Sequence, residues 1–203
     1  MSAFLRPDLA LVADQIPVAS RVLDLGCGQG DLLRQLIDEK GCAGTGVEID
    51  PNAVLAAIRR GVPVLERDIP AALDDLADRS YDWVVLSRTL QTMLEPARVL
   101  AGMARVGERL IVSVPNFGYY RNRLRLLRGR MPVSKELPYP WYETPNLRFT
   151  TLADLEDLFA RQGLTIERRF TYTQTGRRLR MYGRIPNLAA GAAVYVLCPQ
   201  SAG

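Results

Sequence analysis

Histidine is absent from all 203 residues. That removes the commonest general base and the commonest metal ligand. A Ser-His-Asp or Cys-His hydrolase is therefore excluded, and any proton transfer falls to Asp, Glu, Tyr, Lys or Cys. Cysteine is scarce: Cys27, Cys42 and Cys198 have a spacing that suits neither a zinc site nor a disulfide framework. No apolar run is long enough to span a membrane. The first twenty residues lack the basic start and apolar core of a signal peptide. A soluble cytoplasmic protein with no membrane partner is expected. Charge of one sign is also lacking, since 26 basic residues face 22 acidic ones for a net +4. A pI near 9.1 does not by itself imply nucleic acid. No internal repeat or low-complexity tract occurs. What remains is a chain 48% hydrophobic and 24% charged, which fits one globular domain over residues 1–203.

The run from Arg21 to Asp50 carries the strongest signal. An apolar strand from Val22 to Leu25 enters the turn Gly26-Cys27-Gly28-Gln29-Gly30, an amphipathic helix follows, and a second apolar strand ends near Glu48. Glycines let the backbone approach a ligand and adopt positive φ. The helix points free N–H groups and a positive dipole at it. Glu48, roughly 20 residues on, is placed to accept hydrogen bonds from both hydroxyls of a ribose. The pattern is D-x-G-x-G-x-G, with Asp24 two residues before the first glycine. A carboxylate there would repel a pyrophosphate but suits a cationic ligand, and S-adenosylmethionine carries an ammonium and a sulfonium. The bland alternative is a glycine turn that serves strand–helix packing alone. Cys27 fills the small-residue position of the loop, with a reactive thiol at a helix N-terminus as a further alternative.

This stretch resembles motif I of the class I methyltransferases. The resemblance implies that Asp24, Gly26, Cys27, Gly28 and Gly30 cradle S-adenosylmethionine or S-adenosylhomocysteine. It places Glu48 on the ribose, Ile49 against one face of the adenine, and Asp68 near the adenine amino group. Ile69 and Ser87 are expected to complete the cofactor site.

Patterning along the chain predicts alternating elements. A leading helix covers Pro7–Gln15, with strands at Arg21–Leu25, Thr45–Ile49, Val62–Arg67, Tyr81–Ser87 and Glu108–Val114. The helices between them run from about Gln29 to Asp38, from Asp50-Pro51 to Arg60, from Pro70 to Ala77 and from Thr89 to Ala104, the last with a possible break at Pro96. After residue 150 come a helix at Leu152–Gln162 and strands at Thr165–Thr173 and Ala193–Cys198. This is the doubly wound α/β signature. It predicts a seven-stranded, mostly parallel, Rossmann-like sheet with helices on both faces. By resemblance to class I methyltransferases the last strand is antiparallel.

Residues 118–150 interrupt the rhythm as an insertion after strand five, expected to form a lid. Tyr120, Leu124, Leu127 and Met131 fall on one helical face. Arg121, Arg125 and Arg128 border it on one flank, and Arg123 and Arg130 on the other. Three readings stay open: a helix capping the sheet with snorkelling arginines, a protein-docking helix, or an anion-recognising lid. A membrane-surface helix fits less well because the stripe is short. The segment Leu137-Pro138-Tyr139-Pro140-Trp141-Tyr142 reads as a stiff aromatic loop. It lies beyond a strand end, where ligands bind in open α/β sheets, and is expected to cover the cofactor's methyl end. A further basic stretch holds Arg168, Arg169, Arg177, Arg178, Arg180 and Arg184. A nucleic-acid methyltransferase fits less well, because the arginines are interleaved with prolines and apolar anchors and the net charge is small.

Four segments together resemble the methionine-biosynthesis protein MetW family: Tyr81 to Gln91, Ser113 to Gly118, Gly129 to Val133 and Leu137 to Asn146. The resemblance spans about residues 18 to 170. It implies a methyltransferase-like protein of methionine biosynthesis that acts with a homoserine O-acyltransferase as an activating or regulatory subunit. The family often carries a histidine two positions after Asn146, where this chain has Arg148. Candidate substrate- or partner-contacting residues are Asn116, Tyr119, Tyr120, Arg121, Arg125, Arg128, Tyr139, Trp141, Tyr142, Asn146 and Arg148. The alternative function is an adenosylmethionine-dependent methyltransferase acting on an unidentified small molecule. The strand-four exit Leu86-Ser87-Arg88 lacks the Asn-Pro-Pro-Tyr segment common in amino methyltransferases of nucleic acids, and no catalytic residue is evident.

Overall fold

The computed structural model describes residues 6–134, 137–173, 178–179 and 185–200. Its elements run α1 (Pro7–Gln15), β1 (Arg21–Leu25), α2 (Asp31–Lys40), β2 (Ala43–Glu48), α3 (Pro51–Arg59), β3 (Val64–Glu66), α4 (Ile69–Asp75) and β4 (Tyr81–Ser87). A 3₁₀ turn at Leu90–Thr92 follows, then α5 (Pro96–Val106), β5 (Gly107–Pro115), α6 (Tyr120–Leu127), α7 (Leu152–Arg161), β6 (Leu164–Tyr172), β7 (Arg178–Leu179), α8 (Ile185–Ala189) and β8 (Ala192–Pro199). The sheet order is β3-β2-β1-β4-β5-β8-β6-β7. Strands β3, β2, β1, β4 and β5 are parallel, and β8 lies antiparallel between β5 and β6. This is the class I methyltransferase arrangement, with one difference from expectation. A two-residue edge strand, β7, pairs antiparallel with β6 and brings the count to eight.

Alternation along each strand divides the core into two layers. Leu23 and Leu25 of β1, Leu86 of β4 and Leu110 and Val112 of β5 pack with Leu73, Leu100, Met103 and Phe159 on one face. On the other face Val22, Val85, Ile111 and Val194 meet Val12, Ile16, Leu33 and Leu36 of α1 and α2. Asp24 shares the facing of Val22, so it points toward the α1–α2 layer. Local chemistry sets the helix limits. Asp50 caps α3 by accepting from the Asn52 N–H at 2.9 Å, with Pro51 in the first turn. Helix α2 stops where Gly41 takes φ +61°.

Pro96 opens α5, and the segment before it forms the separate 3₁₀ turn, because proline has no N–H to give the preceding turn and holds the residue before it out of the helical region. In the insertion, α6 ends at Leu127 because Gly129 takes φ +70°. Met131 and Arg130 therefore lie outside the helix, and the expected four-residue stripe is cut to three. Arg177, Arg180 and Arg184 fall outside the described residues. No helix among the described residues is long and apolar enough to cross a membrane.

Candidate cofactor and partner site

The glycine loop sits at the carboxyl ends of β1 and β4. Gly26, Gly28 and Gly30 have φ of +71°, +55° and +77°, values that L side chains adopt only with strain. A Cβ on Gly26 would stand 2.8 Å from Thr89 Oγ1, whereas one on Gly28 would meet nothing within 4 Å. The first glycine is thus required by packing, and the second leaves room for a ligand. The loop is tied to β2 by the Gly26 and Cys27 N–H groups, which both donate to the Val47 carbonyl at 2.8 and 3.1 Å.

Glu48 completes this anchoring. Its Oε2 accepts from the Gly28 N–H at 2.9 Å, and its Oε1 accepts from the Ile49 and Asp50 N–H groups at 2.8 and 3.0 Å. A carboxylate has about four acceptor positions; Oε1 has both of its own filled, so Oε2 keeps capacity for one ligand hydroxyl. Glu48 holds the loop as well as facing its rim.

A pocket of about 340 Å³ opens beside the loop. Its walls include Arg6, Leu9, Asp24, Cys27, Arg88 and Thr89, with Gly26, Gly28, Gln29, Asp31, Leu32 and Ser87 around them. Asp24 is 4% exposed, and among the described residues no donor hydrogen-bonds its carboxylate. Burial pushes its pKa up to about 7, with Glu48 raising it further and Arg6 opposing. A buried acceptor without a donor is costly unless something arrives to satisfy it. A ligand ammonium is chemically suited to do so.

The Cys27 thiol is pushed up to about 12 by burial and by the negative charges of Asp24 and Glu48. It is a packing residue, opposite to the reactive-thiol alternative. Its sulfur lies where a Cβ on Gly46 would come within 2.5 Å. Among the described residues no group of three or more Cys, Asp or Glu could hold a metal ion.

Other expected cofactor residues are spread outward. Ser87 lines the pocket and shares a hydrogen bond with Ser113 through their hydroxyls, 3.0 Å apart. Ile49 is 64% exposed at the end of β2, and Asp68 is exposed just after β3. The Ile69 side chain is buried in the core with Leu73, so it cannot itself face a ligand.

The insertion departs most from expectation. The Asn116 side chain is turned inward. Its Nδ2 donates to the Asn187 and Ala190 carbonyls at 2.9 and 2.8 Å, and its Oδ1 accepts from the Gly118 N–H at 2.9 Å. It ties the end of β5 to α8 and does not face a substrate or partner. Tyr119 is also buried, and its ring meets that of Tyr120 edge-on at 4.7 Å. Burial raises the Tyr119 phenol, and the Arg121 guanidinium, donating to the Tyr120 hydroxyl at 3.0 Å, lowers the Tyr120 phenol.

The apolar stripe of α6 does not cap the sheet. Tyr120 and Leu124 are exposed, Leu127 is 84% exposed, and the helix buries Asn122 instead. The aromatic loop does not roof the pocket either. Trp141 and Tyr142 are each 69% exposed and stack edge-on at 5.6 Å, and Tyr139 is half exposed. No residue of 137–150 lines the pocket; the N-terminal end of α1 does.

The end of the loop is nonetheless tied to the pocket wall. The Gln91 carbonyl accepts from the Leu147 and Arg148 N–H groups, both at 2.9 Å. The Gln91 side-chain amide donates to the Arg88 carbonyl at 2.5 Å. Arg148 Nη2 donates to the Leu94 carbonyl at 3.0 Å, so its guanidinium braces the segment after the 3₁₀ turn. Asn146 is half-buried, with its N–H on Thr144 Oγ1 at 3.2 Å.

Comparison with known proteins decides the family. The profile of the family described as "Methionine biosynthesis protein MetW" matches residues 6–197. The chain belongs to the MetW family. It is 35% identical over 201 residues to the bifunctional methionine biosynthesis protein MetXA/MetW of Rhodopirellula baltica, covering 94% of this chain and 32% of that protein. The chain spans about one third of the length of the curated relatives it matches. Among solved structures it resembles a SAM-dependent methyltransferase of Thermotoga maritima, a possible histamine N-methyltransferase, with TM-score 0.69, 21% identity and coverage of 96% and 88% of the two chains. It also resembles the magnesium protoporphyrin IX methyltransferase of Synechocystis with bound SAH, with TM-score 0.65, 20% identity and coverage of 95% and 80%.

Sequence reasoning missed several pocket residues of this MetW-family chain. Gln29, Asp31 and Leu32 adjoin the glycine loop and could have been named from the motif. Thr89 is signalled by the need of something small against Gly26. Arg6, Leu9 and Arg88 carry no local signal. Arg88 takes φ +55° and pairs through Nε with the buried Asp8 Oδ2 at 2.9 Å, a contact made only once α1 folds over the strand ends.

Proposed function

We propose that this MetW-family chain binds S-adenosylmethionine in the glycine-loop pocket and acts as an activating or regulatory partner of a homoserine O-acyltransferase. One observation carries the cofactor assignment. A carboxylate without a hydrogen-bond donor is buried at the floor of a glycine-lined pocket, which is the chemistry a ligand ammonium needs. In this reading Asp24 takes the ammonium, the Gly26–Gly30 backbone holds the ligand in place, and Glu48 receives a ribose hydroxyl on Oε2 while keeping the loop in register. The bound cofactor supplies an activated methyl group on its sulfonium.

Support for the partnership comes from the bifunctional relative, in which a MetW-like portion shares one chain with a MetXA portion. The route from pocket to insertion through Arg88, Gln91 and Leu147–Arg148 gives occupancy a physical path to the outer surface. A second reading, methyl transfer to a small acceptor, draws on Tyr120, whose phenol is held below its usual range by Arg121.

The test measures homoserine acylation by the purified acyltransferase with and without this chain, across adenosylmethionine concentrations. A rate that rises with the chain and responds to adenosylmethionine is expected. A rate indifferent to both would reject the regulatory role and leave methyl transfer to be sought with an acceptor screen.

A further inference from the structure

We infer that the outward face of α6, together with the Met131–Val133 segment, is the surface on which the acyltransferase docks, through an apolar patch rimmed by carboxylates on that partner. The inference rests on the partnership proposed above and adds where it occurs and by what chemistry.

The amphipathicity of α6 is inverted. Its buried residue is the polar Asn122, while Tyr120, Leu124 and Leu127 stand in solvent at i, i+4 and i+7. Single exposed leucines need no explanation. Here Met131 and Val133 are exposed as well, and Arg125 Nη1 holds the Val133 carbonyl at 2.7 Å, keeping that segment beside the helix. Contiguous apolar surface rimmed by charge is the signature of an interface.

Charge selects the partner. Residues 116–150 carry seven Arg or Lys and two Asp or Glu, an excess of five against +4 for the whole chain, so the other residues balance to −1. Many arginines elsewhere are neutralised locally, among them Arg21 by Asp82, Arg34 by Asp38, Arg98 by Asp74 and Arg105 by Asp78. Among the described residues no carboxylate pairs with Arg121, Arg125, Arg128 or Arg130. Arg125, Arg128 and Arg130 instead line an open groove of about 380 Å³ with Met131. Unpaired cations around apolar side chains favour an acidic-rimmed protein surface. A second copy of this chain would bring the same positive excess and be repelled. A phosphate backbone offers nothing to Leu127. The shared chain of the bifunctional relative supplies the partner's identity.

The test titrates purified acyltransferase into the wild-type chain, Leu127→Asp and Arg125→Glu/Arg128→Glu in a calorimeter, with adenosylmethionine affinity and melting temperature measured beside each. Each variant is expected to weaken the complex by about tenfold or more while adenosylmethionine affinity stays unchanged. The wild-type complex should weaken between about 0.05 and 0.5 M salt, and the charge-reversed one should lose that dependence. If the wild-type chain binds and both variants bind equally well, the surface assignment is overturned and the partnership stands. No binding by the wild-type chain would remove the partnership and this surface with it. A wild-type homodimer that Leu127→Asp converts to monomer would give the patch to a second copy. Tight oligonucleotide binding lost in Arg125→Glu/Arg128→Glu would give it to nucleic acid; either result overturns the inference.

Discussion

The β1–β2 region and the insertion treat polar and apolar groups in opposite ways. Around the glycine loop, the Glu48 carboxylate is spent on three backbone N–H groups, arginines such as Arg34 and Arg60 face Asp38 and Asp31, and leucines are buried. Asp24 breaks that rule on the inside, and Ile49 breaks it at the rim. In the insertion the ledger is reversed: Asn116 and Asn122 are inside, while Leu127, Trp141 and four arginines face water without carboxylates. The first region holds a buried carboxylate without a donor, which a small cationic ligand suits. The second has a surface whose chemistry calls for a macromolecule. Exceptions to a region's own rule are therefore more informative about function than the rule.

Substitutions in each region test that contrast, and the largest effect is expected in the first. Gly26→Val places a side chain against Thr89 at φ +71° and should cost about 3 kcal/mol of stability, read as a lower denaturant midpoint. Gly28→Ala meets no protein atom and should cost only about 1 kcal/mol while weakening adenosylmethionine. Equal losses for the two would erase the distinction between packing glycine and ligand glycine. Glu48→Ala should weaken cofactor binding by about 1–3 kcal/mol and lower melting temperature as well, because three N–H groups lose their acceptor. Unchanged affinity in calorimetry would remove Glu48 from the ribose role.

Asp24 gives a pH signature. Its folded pKa, near 7, lies above that of an unfolded carboxylate, near 3.9, so the native state binds the proton more tightly. Its contribution to stability is present below about pH 4 and is lost as pH rises toward 7. Asp24→Asn should therefore gain stability over the wild type progressively between about pH 4 and 7, with a constant margin above. Adenosylmethionine affinity should fall in the wild type as pH drops below about 7, and in Asp24→Asn it should be low and flat. A pH-independent wild-type affinity would take the ammonium away from Asp24. The smallest effect belongs to the insertion. Leu127→Asp should change the chain's own stability by no more than about 0.5 kcal/mol, since it removes no core contact. A larger loss would mean that the stripe packs on the fold after all.

Much of the fold was legible in the residues. Strands β1 and β4 run over the expected residues because continuous apolar runs bounded by turn signals admit little else, and the D-x-G-x-G-x-G spacing placed the pocket. Three things were not legible. Asn116 sits in a stretch that reads as loop, yet its partners are Asn187 and Ala190, far along the chain. The α6 stripe has the periodicity of a core face, and periodicity records which residues share a side but not whether that side meets the core. The roof of the pocket comes from Arg6 and Leu9, not from the aromatic loop, because α1 packs across the ends of β1 and β4.

The sequence alone determined the layered sheet, the glycine turn, the acidic residues at the strand ends and the positive excess of the insertion. Each follows from backbone preference or side-chain chemistry acting over a few residues. Tertiary structure decided which of those groups were left uncompensated: Asp24 without a donor inside, and outside Leu127 without apolar cover and the α6 arginines without a carboxylate. A partner is a contact between residues distant in the chain, and only closure of the fold settles which contacts are made.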